Sequence, residues 1–283
     1  MTELTGPGRL YVVSLPIGNL ADITLRALET LRTVDFVIAE DTRTTRRILS
    51  HYGIKTPFHS SFYQGVEGER AAELVLLLRA GKRLALVSDA GTPLISDPGF
   101  PLVRAAVDAG IVVEPIPGPT AAIAGLVASG LSADRFCFHG ALPRKKGHRA
   151  EFFSSLAREP RTAVAYESPH RLLESLEVLA DVLPERRIVL ARELTKVHEE
   201  FVRGTAREVL DEMRSRGEVR GECVLLIAGA APPEEPVEEQ AATQLLAALE
   251  AEGVSKAGIR RILESFGGLS RNRAYTLVHG ARD

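Results

Sequence analysis

The chain has 283 residues, 45% of them hydrophobic, enough to bury sizeable cores over a length that suggests about two domains. Its formal charge of −2 excludes a protein that coats nucleic acid through general basicity, but not one with local basic patches. The 2 cysteines, Cys137 and Cys223, each fall inside an apolar strand-like run and read as buried free thiols, and no Cys or His cluster has metal-ligand spacing, so no metal is expected.

Residues 10–14 (LYVVS) read as a strand running into Leu15-Pro16-Ile17-Gly18-Asn19. Leu25, Leu28 and Leu31 recur at helical spacing in 23–33, with Asp22 or Thr24 as cap. The run 36–39 (FVIA) is a short central strand ending in Glu40-Asp41-Thr42-Arg43, and 44–51 continues as a basic helix bearing Arg46 and Arg47. A long polar loop is expected over 57–68, with Phe62 and Tyr63 exposed or folded over a cleft. Next come an amphipathic helix (69–80), a buried strand (84–87), a helix (101–109) and a strand (112–116), an alternation that predicts α/β layering. Pro117-Gly118-Pro119 marks a domain junction, followed by a small-residue helix over 121–129. Beyond it, strands are expected at 136–139, 162–166, 187–192, 201–204 and 222–228, with helices at 148–158, 170–183 and 206–216, in a mixed sheet. Residues 230–239 (AAPPEEPVEE) read as a linker, and 241–252, 255–266 and 270–280 as three helical segments with helix-turn-helix-like spacing. The expected division is 1–117, 118–230 and 231–283. With no signal-peptide pattern and no apolar run of transmembrane length, the protein is expected in the cytoplasm and away from membranes.

The chain is organised around 88–99, SDAGTPLISDPG, a loop between a buried strand and a helix. Strand–loop–helix units place ligand sites outside the carboxyl ends of the strands of open α/β sheets. Gly91 allows close backbone approach, Pro93 and Pro98 stiffen the loop, and Asp89 and Asp97 supply carboxylates. Pro- or Gly-rich loops also follow 10–14, 112–116 (Pro117-Gly118-Pro119-Thr120) and 162–166 (Glu167-Ser168-Pro169-His170), which together predict a crevice along one sheet edge. Neither a G-x-G-x-x-G after the first strand nor a P-loop is present, so dinucleotide dehydrogenases and P-loop NTPases lack their phosphate cradle here. Such loops suit a ligand held by its base, its ribose and a short charged tail.

Five motifs in order carry a resemblance: Leu-Pro-Ile-Gly-Asn (15–19), Glu-Asp-Thr-Arg (40–43), the loop 88–99, Pro-Gly-Pro-Thr-Ala (117–121) and Tyr-Glu-Ser-Pro-His-Arg (166–171). Together with Arg-Glu-Leu-Thr-Lys (192–196), Gly221-Glu222 and Leu269-Ser270-Arg271, they resemble the ribosomal RNA small-subunit methyltransferase I family of the tetrapyrrole-methylase (class III) superfamily. The resemblance implies two α/β domains with S-adenosylmethionine in the cleft between them, a homodimer, and 2′-O-methylation of a cytidine ribose near the decoding centre of the small ribosomal subunit. It carries cofactor contacts onto Leu15, Pro16, Gly91, Thr92, Pro93, Ile95, Thr120 and Ala121, and onto Tyr166 and Ala228, with Asp89 beside them in the central loop. Tetrapyrrole-modifying relatives have Gly-Asp-Pro where this chain has Gly91-Thr92-Pro93, and a Gly-x-Gly in the first loop that is absent here.

Methyl transfer to a hydroxyl needs alignment, exclusion of water, and a base or cation for the departing proton. Candidates for that last role are Glu40, Asp41, Glu167 and Lys196, each with a structural ion pair or helix cap as its competing explanation. For RNA phosphates the candidates are Arg43, Arg46 and Arg47 on one helix and Arg144, Lys145, Lys146 and Arg149 in a basic loop, with Arg271 and Arg273 in the tail. Two other functions fit the same chain: a C-methyltransferase acting on a tetrapyrrole precursor, and a non-catalytic ribosome assembly factor.

Overall fold

The computed structural model describes residues 8–59, 62, 67–217, 221–231, 236–265, 269 and 271–279. Strands β1 (Arg9–Val13), β2 (Phe36–Ala39), β3 (Arg83–Val87) and β4 (Val112–Ile116) form a four-stranded sheet in the order β2-β3-β1-β4, parallel at every pairing. Alternate residues of each strand serve opposite faces. Val37, Ala39, Ala85 and Val87 pack with helices α1 (Leu25–Thr33) and α2 (Thr42–His51) on one side. Ile38, Leu84 and Leu86 pack with α3 (Glu67–Arg79) and α4 (Phe100–Asp108) on the other. Burial on both faces is why these strands are continuous apolar runs. The Thr24 hydroxyl accepts the Ala27 N–H at 3.1 Å and the Asp41 carboxylate the Arg43 N–H at 2.8 Å, so both helices start on side-chain caps.

A second sheet has the order β5-β6-β9-β7-β8, from β5 (Phe136–Ala141), β6 (Thr162–Glu167), β7 (Arg187–Arg192), β8 (Glu200–Thr205) and β9 (Cys223–Ile227). β5 and β6 are parallel; the other pairings are antiparallel. Helix α5 (Ala121–Ser129) covers one face through Ala122 and Leu126 against Val164, Val224 and Leu226. Helices α6 (Lys146–Ser155), α7 (Pro169–Val182) and α8 (Ala206–Ser215) cover the other. Because β9 runs opposite to β6 and β7, its first residue, Cys223, pairs with the last residues of both, Glu167 and Arg192.

Both sheets lie in one compact unit that ends at Ala230, and a second unit starts at Ala231. The second unit contains α9 (Pro236–Ala251), α10 (Lys256–Ser265) and α11 (Arg271–His279), around Ile259, Leu263, Ala274 and Val278. Two expectations need correction. Phe62 is neither exposed nor over a cleft: it is 1% exposed in the first core, and its N–H donates to the Ala39 carbonyl at 2.9 Å. Tyr63 lies outside the described residues. The linker expected over 230–239 is shorter, since helix α9 already begins at Pro236; residues 232–235 of it lie outside the described residues.

Candidate active site

A cleft of about 420 Å³ opens where the carboxyl ends of β3, β4 and β6 meet the start of β9. One wall is backbone and small side chains. Leu15 and Gly91 exchange two hydrogen bonds, N–H to carbonyl at 2.8 and 2.9 Å, so the first and central loops form a single bridge. The Thr92 hydroxyl lies 2.9 Å from the Ser14 hydroxyl and donates to the Pro119 carbonyl at 3.1 Å, adding the third loop. Gly91 has φ +71°, and a Cβ there would stand 3.2 Å from Ile17 Cγ2 on the cleft wall. Leu94 and Ser96, at φ 72° and 70°, hold left-handed conformations without being glycine, a strain typical of functional loops.

Of the residues expected to contact a cofactor, Asp89, Gly91, Thr92, Ile95, Thr120, Ala121 and Tyr166 line this cleft. The Tyr166 hydroxyl accepts the Ala122 N–H at 3.2 Å, at the start of α5. Leu15, Pro16 and Pro93 are buried behind the wall. Ala228 is misplaced: β9 is inverted, so Ala228 follows the end of the strand remote from the cleft, where its N–H meets the Arg187 carbonyl at 2.9 Å.

The opposite wall is charged. The Glu167 side chain is fully buried; its Oε1 accepts the Ser168 N–H and the Arg171 guanidinium, both at 2.6 Å, and its Oε2 accepts the Ser175 hydroxyl at 2.5 Å. With these donors in place it is a buried structural anchor rather than a base. Lys196 forms ion pairs with Glu193 at 2.8 Å and Glu222 at 3.4 Å, and its side chain packs over Gly18. Asp41 caps α2 and pairs with Arg43 at 2.8 Å; that guanidinium holds its carboxyl down at about 2, too acidic for a useful base at neutral pH. Glu40 is half-buried and does not line the cleft.

Two carboxylates that were among neither the catalytic nor the cofactor-contact candidates also line it. Asp97 is pushed up to about 6 by burial, against the Ser88 hydroxyl, with Asp89 and Glu222 adding repulsion. Glu222 comes from the turn before β9, more than a hundred residues further along the chain. Asp97 sits inside the motif singled out above; Glu222 belongs to the Gly221-Glu222 stretch of the resemblance but was not expected at the cleft, because only the inversion of β9 brings it to this edge. Cys223 beside it is buried and pushed up to about 11, an inert thiol at neutral pH.

The expected basic residues separate. Arg144, Lys145 and Lys146 are exposed just past Ala141, which lines the cleft, and Arg171 in the cleft donates to the intervening Leu142 carbonyl at 3.5 Å. Arg149 cannot serve RNA: it is fully buried, paired with Glu174 at 2.5 Å and aimed at the Pro143 and Arg144 carbonyls. It shapes the basic loop from beneath. Arg46 and Arg47 are exposed on α2, Arg46 lying 5.3 Å over the Phe58 ring. Arg271 and Arg273 are exposed in the second unit.

Residues 9–210 match the family model described as Tetrapyrrole (Corrin/Porphyrin) Methylases. Among curated proteins, the chain is 47% identical over 272 residues to Ribosomal RNA small subunit methyltransferase I of Synechocystis sp., covering 95% of this chain and 97% of that one. It is 48% identical over 252 residues to the protein of the same name in Haemophilus influenzae, covering 88% and 87%. Among solved structures, it resembles the uroporphyrin-III C-methyl transferase from Thermus thermophilus complexed with S-adenyl homocysteine, with a TM-score of 0.55 and 20% identity over 78% of this chain and 97% of that one. That distant likeness speaks for the fold alone. A match over residues 9–210 to the tetrapyrrole-methylase model, and near-half identity along almost the whole length, place the chain in the tetrapyrrole-methylase family and, within it, in the ribosomal RNA small subunit methyltransferase I family.

Proposed function

We propose that this protein transfers a methyl group from S-adenosylmethionine to the 2′-hydroxyl of a cytidine in small-subunit ribosomal RNA near the decoding centre. The observation that carries the reading is the near-half identity, over nearly the full length of both chains, to relatives named for that RNA. The cleft fits the cofactor. Gly91, Thr92, Thr120 and Ala121 offer backbone and small side chains at close range, Ile17 and Tyr166 an apolar flank, and Asp89, Asp97 and Glu222 negative charge toward a ligand that carries two cationic centres. Bound there, S-adenosylmethionine supplies an electrophilic methyl group on a sulfonium whose positive charge disappears on transfer. The residues of this chain orient the acceptor, keep water out, and take up its proton. The exposed segment Arg144-Lys145-Lys146, next to the cleft, suits phosphates flanking the target nucleotide.

Three organisational readings belong to the same proposal: two α/β domains, 1–117 and 118–230, a cytoplasmic location where ribosomes are assembled, and a homodimer. Exposed apolar side chains on α4 and α5, with Phe100 65% and Val127 72% exposed, support self-association. Among the described residues no helix is long and apolar enough to cross a membrane.

The test incubates the protein with methyl-labelled cofactor and unmodified small subunits and maps the labelled nucleotide. Label on a single ribose 2′-oxygen in the small-subunit RNA is expected. Turnover of a porphyrinogen without RNA, or cofactor binding with no transfer to subunits, would overturn the reading in favour of a tetrapyrrole methylase or a non-catalytic assembly factor.

A further inference from the structure

The structure assigns a positioning role to Arg149: from inside the second core it sets the backbone of the loop between β5 and α6, so that Arg144, Lys145 and Lys146 are presented to phosphates of the substrate RNA. The inference rests on the proposed reading of that segment as an RNA contact. Arg149 is the bulkiest fully buried side chain among the described residues. It falls on one stripe with Phe153 and Leu156, which are buried in the same core and would suit an apolar neighbour. A buried guanidinium costs several kcal/mol to desolvate, and an apolar residue of similar volume often serves a core as well or better. Here that cost is only partly offset. Nη2 meets Glu174, a side chain 50% exposed, at 2.5 Å, while Nε has no hydrogen-bond partner among the described residues. Core stability therefore does not account for an arginine at this place.

What the charge reaches does account for it. Nη1 of Arg149 donates to the Pro143 and Arg144 carbonyls, both at 3.5 Å, and Nη1 of Arg171 donates to the Leu142 carbonyl at 3.5 Å. These contacts are long, so they act as charge–dipole attraction, which a low local dielectric strengthens. Three successive carbonyls are thus turned onto two guanidiniums, and Pro143 restricts the backbone between them. The Leu142 N–H is spent on the Tyr166 carbonyl at 3.0 Å, which ties the start of the loop to β6. With its carbonyls committed inward, the loop leaves the side chains of 144, 145 and 146 exposed.

The counter-charges fit the same role. Arg149 is paired with Glu174 and Arg171 with Glu167, so the grip adds no net charge beneath three crowded cations. Glu174 lies on α7 and Glu167 ends β6 just before it, and Arg171 reaches the cleft from the first turn of α7. The basic segment is thereby held in register with the cleft. Cations ordered before RNA arrives lose less conformational entropy on contact, which favours binding.

The test uses the full chain and reads docking apart from chemistry. Fluorescently labelled protein is titrated with unmodified small subunits at several salt concentrations, affinity for S-adenosylhomocysteine is measured by calorimetry, and tryptic cleavage after residues 144–146 is followed by mass spectrometry. Arg149→Met, which fills the site without the charge, is expected to fold and to keep the calorimetric affinity. It should weaken subunit binding by about tenfold, lower the salt slope by about 1–2, and be cut at 144–146 faster than wild type. Arg149→Lys keeps the pair with Glu174 but has no fork to reach both carbonyls, so it should fall between; it decides the matter if the methionine variant does not fold. In a chain whose Arg144, Lys145 and Lys146 are already alanine, Arg149→Met should weaken subunit binding no further, because it acts through them. A folded Arg149→Met protein with wild-type subunit affinity, or one whose loop is cut no faster, would overturn the assignment. So would an undiminished loss on top of the triple alanine, or a matching fall in cofactor affinity, the mark of a general structural role. A triple alanine variant that binds subunits as wild type does would remove the phosphate role of the segment and this proposal with it. Wild type that binds subunits but transfers no methyl group would remove the functional reading alone, and the binding comparison would still decide the role of Arg149.

Discussion

Replacing Glu167 separates a structural role from a chemical one. Glu167→Ala strands three partners at once: the Ser175 hydroxyl, which is fully buried, the Ser168 N–H at the start of α7, and the Arg171 guanidinium, 27% exposed. An unsatisfied buried hydroxyl costs about 1–3 kcal/mol, and removal of one partner of a buried pair about 3–5 kcal/mol. Since Arg171 retains some water, the combined loss should fall near 3–4 kcal/mol, which for a body of this size lowers Tm by roughly 10 °C. Glu167→Gln keeps the shape: its carbonyl can accept from Ser168 and Arg171 while its amide donates to the Ser175 oxygen. Only the charge assistance is lost, so about 1–2 kcal/mol is expected. Thermal and urea unfolding of both variants, with single-turnover methylation at a temperature where both are folded, gives the answer. An alanine variant as stable as wild type but unable to transfer methyl would refute the anchor role and restore Glu167 as a base.

Three other outcomes follow from the same geometry. Gly91→Val, which puts a branched side chain at φ +71° and against Ile17, should weaken S-adenosylmethionine binding by about an order of magnitude or more in a protein that still folds, measured by calorimetry. Replacing Arg144, Lys145 and Lys146 together by alanine should lower kcat/KM for subunits and flatten its salt dependence, while cofactor affinity stays constant. Assembled small subunits should be methylated faster than protein-free RNA, because local basic patches on an acidic chain suit docking onto a preformed surface, and truncation at Ala230 should reduce the difference.

Strand and helix positions were legible because local patterns set them: FVIA and RLALV are buried on both faces, and Thr24 and Asp41 cap where their side chains reach backbone N–H groups. The backbone wall of the cleft was legible for a related reason, since each of its loops follows a strand of the same direction and inherits its edge. The charged wall was not. Ala228 was expected to contact the cofactor and Glu222 was not placed at the site, both because local sequence does not state that β9 enters its sheet backwards. Arg149 looked like one more member of a basic run, but it falls on the inward face of α6, and a helix-facing Glu174 on α7 makes that burial tolerable. Phe62 sat in a polar context, yet its N–H extends the edge of β2, which draws the ring into the core.

The inversion of β9 also bears on Lys196, a candidate chosen for its charge. It places Glu222 and Cys223 beside the loop that follows β7, where Glu193 and Thr195 hold left-handed backbones at φ 48° and 65°. That loop grips the first loop of the other sheet: the Asn19 N–H donates to Thr195 Oγ1 at 3.0 Å, and Lys196 lies so close over Gly18 that a Cβ there would stand 2.6 Å from its Cγ. Lys196 spends its charge on Glu193 and Glu222, which fixes the grip and leaves it no proton role. Among the described residues, the four left-handed non-glycine residues, Leu94, Ser96, Glu193 and Thr195, belong to the two loops on either side of the cleft. Strain of about 1–3 kcal/mol at each persists only where surrounding contacts over-determine the backbone, as they do here. A cleft held this firmly before any ligand arrives gives up little entropy on alignment, so its contribution to the reaction is mainly to hold the reacting groups in line.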